Sequence, residues 1–382
     1  MESIRRFFSP PKQSYFLFGP RGTGKTTCLK ERYPKALYID LLLSDVFRDY
    51  SARPERLRDV VAAHRDKRIV IIDEIQRIPE LLSVVHHLIE DNKATQFILT
   101  GSSARKIKST GANLLGGRAM LRKMHPFTAA ELSGTFDFEQ ALIHGSIPIV
   151  RASENMRDTL NAYIDVYIRE EVLMEGLTRN VGNFSRFLEA VSFSHGSVIN
   201  VSNIARDCGI ERKVIGNYLT ILEDLLLASR VPVFTKRAAR AVIQHPKFYY
   251  FDSGVFTTLR PRGPLDKPEE VQGAALEGLV YQNLQAWLDY FHPDCRVYFW
   301  RTSSGNEVDF ILYGPEMFTA IEVKNASSIR PADMRGLRSF AEDYPESERI
   351  ILYRGKEKLS IHGITIIPCE EYLLSLRGHS EG

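Results

Sequence analysis

The sequence predicts an α/β protein: a parallel sheet covered by helices on both faces, then a winged helix-turn-helix, then a second, smaller α/β part. Three observations carry this. Short apolar runs alternate with helical stretches over residues 1 to about 150, the rhythm of a parallel sheet. From about residue 184 helical periodicity takes over, around a turn glycine at Gly209. From about Glu269 the order becomes helix, three strands, helix, strand.

The first part is expected as strand 15–18, helix 25–32, strand 36–40, helix 54–64, strand 69–72, helix 79–91 and strand 96–100. Between the first strand and its helix lies Gly19-Pro20-Arg21-Gly22-Thr23-Gly24-Lys25-Thr26, followed by Thr27. A Gly, four residues, then Gly-Lys-Thr is the P-loop pattern. Glycines let backbone N–H groups wrap phosphates, and the helix N-terminus adds partial positive charge. Lys25 is expected to reach the β- and γ-phosphates of ATP and the Thr26 hydroxyl to hold Mg²⁺.

Arg68-Ile69-Val70-Ile71-Ile72-Asp73-Glu74 is an apolar run ending in two carboxylates. Such a run suits a strand buried on both faces, and ligands of open α/β sheets lie at the C-terminal ends of the strands. Asp73 is expected to support Mg²⁺ and Glu74 to polarise the attacking water. At the end of the next strand, Thr100 and Ser102 are candidates to sense the γ-phosphate or to position water. Arg118, after Gly116-Gly117, is a candidate arginine finger for a neighbouring subunit, with Arg105 as its rival.

A helical stretch from about Asn155 to Leu177 is expected to form a lid or linker over 151–183. In 184–264, Ser202 is a plausible N-cap, Gly209 suits the turn between two short helices, and 211–226 is the second helix. Arg212 and Lys213 stand at its start, where a recognition helix meets DNA. Leu225 to Phe234 is expected to be extended, as a wing. Leu225 to Phe251 holds Arg230, Lys236, Arg237, Arg240 and Lys247 with no acidic residue, interleaved with Phe234, Phe248, Tyr249 and Tyr250. That mixture suits a nucleic-acid surface or a solvated basic loop beside a buried aromatic strand.

The last part, 265–382, carries a second constellation. A helix over 270–291 contains Glu277, a strand spans 296–301, and Asp309 and Glu322 fall on successive strands. Alternation puts Glu322 and Lys324 on one face. Glu277, Asp309 and Glu322 are candidate Mg²⁺ ligands, and Lys324 a candidate to activate water or stabilise developing charge.

Composition narrows the class. The 382 residues are 44% hydrophobic and 25% charged with a formal charge of +3, the balance of a globular chain whose total charge does not announce nucleic acid. Cys28, Cys208, Cys295 and Cys369 are too widely spaced for a metal or disulfide framework. No stretch of about eighteen apolar residues exists and the N-terminus does not read as a signal peptide, so a cytoplasmic protein with no membrane span is expected.

Taken together, Gly19 to Thr26, Ile69 to Glu74, Phe97 to Ser103, Gly117-Arg118, and Glu277, Asp309, Glu322 and Lys324 resemble the prokaryotic AAA-type ATPases that join a P-loop domain and a winged helix to a C-terminal restriction-endonuclease-like (PD-(D/E)xK) domain. The last pattern is similar to that of archaeal Holliday-junction resolvases, except that Val308 rather than Pro precedes Asp309. The resemblance implies ATP hydrolysis at a subunit interface, in a ring or other homo-oligomer, and a DNA-related role, with branched or forked DNA as a candidate substrate. It leaves open whether the C-terminal domain cuts, or is silent in a nucleotide-dependent switch that recruits a protein partner.

Overall fold

The computed structural model of the chain describes residues 4–102, 117–168, 181–235, 245–264 and 266–378. These form two compact units. One comprises Arg6–His125 with Asp224–Leu226; the other comprises Met1–Arg5, Pro126–Glu223 and Leu227–Gly382.

The first unit is built on a five-stranded sheet of β1 (Tyr15–Phe18), β2 (Leu37–Asp40), β3 (Ile69–Asp73), β4 (Gln96–Gly101) and β5 (Met120–Lys123), in the order β2-β3-β4-β1-β5. Every pairing is parallel. The apolar runs explain the centre of the sheet. Val70, Ile71 and Ile72, like Phe97, Ile98 and Leu99, are buried whichever way they point, because helices cover both faces. Phe16, Phe18, Val70, Ile72, Phe97 and Leu99 share one core with Leu57, Leu81 and Val85 from the helices Arg56–Ala63 and Leu81–Asp91.

Two elements depart from expectation. The edge strand β5 is not expected at all: Met120 and Leu121 are exposed, so no buried apolar run announces it. The helix Ser44–Ala52 is also additional; it buries only Tyr50, too little to stand out as an apolar stripe.

In the second unit the helix Pro268–Phe291 precedes a six-stranded mixed sheet. Two hydrophobic faces meet here: Trp300, Val308, Ile311 and Ala320 from the sheet and Leu337 and Phe340 from the helix Arg335–Asp343. Its strands are β9 (Arg296–Arg301), β10 (Glu307–Gly314), β11 (Met317–Lys324), β12 (Glu348–Tyr353), β13 (Leu359–Ile361) and β14 (Ile364–Pro368), in the order β13-β14-β12-β11-β10-β9. The expected helix, three strands, helix, strand order is present, with β13 and β14 added. A three-stranded antiparallel sheet joins β6 (Ser197–Val198), β8 (Lys247–Tyr250) and β7 (Ala228–Val231).

The two short helices are Val201–Cys208 and Arg212–Asp224. Gly209 ends the first at φ 65°, a left-handed step that glycine takes without Cβ strain. The cap is Asn200 rather than Ser202: the Asn200 side-chain oxygen accepts from Ser202 N and Asn203 N at 3.1 Å each, satisfying two otherwise orphaned donors. The expected linker helix is Met156–Ala162 continued by a π-helical turn, Tyr163–Ile168; its remainder lies outside the described residues. Residues 126–150, expected with the P-loop part, belong to the second unit.

The aromatic residues of the basic-aromatic stretch are not exposed. Phe234, Lys247, Phe248, Tyr249 and Tyr250 are all buried, so these aromatic rings are core rather than a stacking platform. Arg230 pairs with Glu223, and Lys236, Arg237 and Arg240 lie outside the described residues.

Candidate functional site

The chain turns sharply between β1 and the helix Lys25–Arg32. Gly22 and Gly24 take φ of 78° and 86°, left-handed steps that glycine takes without Cβ strain and that suit a loop whose N–H groups line a cradle. Gly19 is fixed by packing instead: a Cβ there would lie 2.3 Å from the Met124 carbonyl oxygen. Arg6 ties the loop to the same segment, donating to the Thr23 and His125 carbonyls at 2.7 Å each.

Lys25 is buried, and its Nζ donates to the Gly19 and Pro20 carbonyls at 2.6 and 3.2 Å. The Thr26 hydroxyl donates to Asp73 Oδ2 at 2.8 Å. Asp73, 1% exposed, also accepts from the hydroxyls of Thr100 and Tyr38. Burial, reinforced by the bond to Asp73, pushes the Tyr38 hydroxyl well above its ordinary pKa, which keeps it a donor. The parallel register explains the convergence. It sets Asp40 beside Asp73 and Ile72 beside Leu99, so the ends of β2, β3 and β4 fall level. A hydroxyl and a carboxylate at 2.8 Å are the hard oxygen donors that Mg²⁺ takes, so these residues fit the ion.

Glu74 steps into the left-handed region at φ 61°, a conformation that costs a non-glycine residue about 1–3 kcal/mol and collects at functional sites. Its N–H donates to Thr100 Oγ1 at 3.2 Å, and its carboxylate accepts from Gln76 Nε2. The same Gln76 nitrogen donates to Ser102 Oγ at 3.1 Å. Gly101 leaves room for this bridge, since a Cβ there would lie 2.3 Å from Gln76 Oε1.

The structure thus groups Gly19 to Thr27 with Asp73, Glu74, Thr100 and Ser102. Arg118 is elsewhere in the unit. It precedes β5, whose Met120 pairs with Tyr15 at the opposite end of β1 from the P-loop, and it bonds Glu90 at 2.5 Å. Arg105 lies outside the described residues. Tyr38 and Gln76 were not anticipated. Gln76, two residues past Glu74, was findable as an amide beside the acidic pair; Tyr38 becomes visible only from strand pairing.

The second constellation also comes together, around a residue that spacing did not reveal. Lys247 Nζ, on β8 and 1% exposed, lies 2.9 Å from Glu277 Oε1, 2.5 Å from Glu307 Oε1 and 3.1 Å from Asp309 Oδ1. The other Asp309 oxygen accepts from Val323 N at 2.9 Å, and Glu322 Oε1 pairs with Lys324 at 2.6 Å. Tyr249 donates to Glu277 at 2.5 Å. Burial and the neighbouring Asp309 push the Glu277 carboxyl up to about 7. The same two causes raise Glu322 well above the carboxylate range. Burial disfavours charge on Lys247, but Glu277 and the other anions outweigh it and hold its pKa above the ordinary value. The expected Mg²⁺ ligands Glu277, Asp309 and Glu322 do not fit the ion as arranged: Lys247, Val323 and Lys324 take both Asp309 oxygens and one oxygen each of Glu277 and Glu322. Among the described residues no group of three or more His, Cys, Asp or Glu side chains is arranged to hold a metal.

Residues 11–133 match the family described as "AAA domain". The N-terminal part is thus similar to AAA domains. Beyond it, residues 135–266 match a domain of unknown function (DUF8612), and 272–372 match another (DUF4143). An uncharacterized protein of Mycobacterium tuberculosis is 24% identical over 94% of this chain and 80% of its own length. One of Haemophilus influenzae is 22% identical over 83% of this chain and 80% of its own. Among solved structures, the replication initiator DnaA bound to AMPPCP and single-stranded DNA has a TM-score of 0.28 at 12% identity, covering 55% of this chain and 82% of that one. A signal transduction ATPase with numerous domains from Pyrococcus horikoshii has a TM-score of 0.26 at 15% identity, covering 73% and 45%. At such scores neither likeness carries an argument about the AAA-type domain or its neighbours. Among the described residues no helix is long and apolar enough to cross a membrane.

Proposed function

We propose that this chain hydrolyses Mg-ATP at the Gly19–Thr27 loop and couples hydrolysis to the handling of DNA, with branched or forked DNA as the candidate form. The observation that carries the hydrolysis reading is the convergence of Thr26 and Thr100 on buried Asp73, one residue before Glu74. The loop N–H groups and Lys25 bind the β- and γ-phosphates. Thr26 and Asp73 would hold Mg²⁺, which would neutralise negative charge on the phosphates. Glu74 orients a water and takes its proton, and Gln76 holds the Glu74 carboxylate in place. Thr100 and Ser102 stand next to Glu74 and report the state of the γ-phosphate. Arg118 acts on a neighbouring copy, which makes the working form a homo-oligomer; its place at the far end of β1 supports action in trans.

The DNA reading rests on Arg212 and Lys213, both exposed in the first turn of the helix Arg212–Asp224, where side-chain charge and helix dipole agree. The helix pair and its adjoining sheet support a winged-helix reading. The helix, three strands, helix, strand order with β11 parallel to β12 supports an endonuclease-like fold. A second reading is a nucleotide-dependent switch that recruits a protein partner; the occupied carboxylates of the C-terminal part favour it. Phosphate release measured without DNA and with single-stranded, duplex and four-way-junction DNA separates the two. Stimulation that is lost in Arg212→Ala/Lys213→Ala supports DNA handling. A rate unchanged by all three DNAs rejects DNA handling and leaves the switch.

A further inference from the structure

We infer that the Lys247 ammonium is the resident cation of the Glu277–Glu307–Asp309 cluster, standing where a divalent metal would otherwise sit, and that the cluster fastens β8 to the helix Pro268–Phe291 and to β10. Three carboxylates from two elements converge on one buried nitrogen within 3.1 Å. An ammonium has three donors, and each meets a carboxyl oxygen.

The remaining acceptors are largely spoken for. Arg301 binds Glu307 Oε2 at 3.3 Å, Val323 N binds the second Asp309 oxygen, and Lys324 binds Glu322. Three cations thus face four carboxylates, close to neutrality before any metal is considered. Glu322 Oε2 is buried without a hydrogen-bond partner. With the second Glu277 oxygen, that leaves two open carboxylate oxygens, far short of what Mg²⁺ demands, near-ideal octahedral geometry at about 2.1 Å. A metal could gather more only by expelling Lys247, whose side chain is 1% exposed and packed with Nζ 5.7 Å from the Phe299 ring centroid. Three elements of the site are thus joined by charge that no chelator can remove. This inference is independent of the ATPase reading.

Isothermal titration of the full-length, nucleotide-free chain with MnCl₂ tests it. Wild type and Asp309→Asn are expected to give the same heats. In metal-free buffer Lys247→Met, which keeps the side-chain volume, is expected to lower the unfolding midpoint, and Mn²⁺ to restore part of that loss while leaving wild type unmoved. Mn²⁺ binding by wild type that disappears in Asp309→Asn would overturn the proposal. So would a Lys247→Met protein as stable as wild type. If Lys247→Met does not fold, the comparison of wild type with Asp309→Asn decides alone.

Discussion

The Gln76 side-chain amide donates to the Glu74 carboxylate across a left-handed backbone step, and the same nitrogen reaches Ser102. Gln76 therefore helps to aim Glu74 through a side-chain bond. Gln76→Ala is expected to lower kcat roughly tenfold, the worth of one hydrogen bond to a charged group, with KM unchanged. Gln76→Glu should be worse, because it sets like charges side by side. A rise in KM alone would place Gln76 in binding instead.

Glu74→Gln and Lys25→Ala should fail in different ways. The first is expected to bind ATP and lose turnover by about 10²–10⁴-fold, the range for a general base. The second is expected to lose binding as well. Fluorescent-nucleotide titration beside phosphate release checks both. Wild-type hydrolysis by either variant rejects the site.

Gly19→Ala is a packing test. The new methyl would stand 2.3 Å from the Met124 carbonyl oxygen, and backbone is slow to yield. A loss of about 1–3 kcal/mol and weaker nucleotide binding are expected. Thermal unfolding with and without nucleotide separates the two effects.

Arg118 can be tested by mixing. Arg118→Ala and Lys25→Ala should each be inactive alone. If Arg118 acts on a neighbour, an equimolar mixture regains part of the hydrolysis rate, since one copy supplies the loop and the other the arginine. No recovery from copies shown to co-assemble would count against action in trans.

Glu277 makes stability depend on pH. Its carboxyl is raised from 4.5 to about 7 by burial and by Asp309, so the folded state holds the proton more tightly than the unfolded chain. The stabilisation is full below about 4.5 and is lost as pH rises through about 7. Denaturant titrations from pH 4 to 8 should show this fall, and Glu277→Gln should flatten it. An unchanged slope in Glu277→Gln would assign the dependence to other groups.

Much of the candidate nucleotide site was legible because its chemistry is local. Gly19 to Thr26 is contiguous, and Asp73-Glu74 closes an apolar run that forms a central strand. The helix start at Arg212 and Lys213 was likewise readable from a turn glycine. What was hidden depends on pairing at a distance. Tyr38 meets Asp73 through the β2–β3 register, and Lys247 meets Asp309 across 62 residues. Lys247 was also disguised by its neighbours. In sequence it is one cation among aromatics, as at a nucleic-acid surface; in the fold that segment is a strand buried on both faces. Exposed β5 had no signal, because an edge strand needs only one good partner.

Asp73 carries one last implication, for kinetics. The hydroxyls of Thr26, Thr100 and Tyr38 orient its two oxygens, and Arg6 pins the loop from the other side. The ordering entropy of the cradle is thus spent during folding rather than at each encounter. Nucleotide should load at a rate limited by diffusion and orientation, with a single exponential phase. The slow step of hydrolysis is then expected to fall after capture.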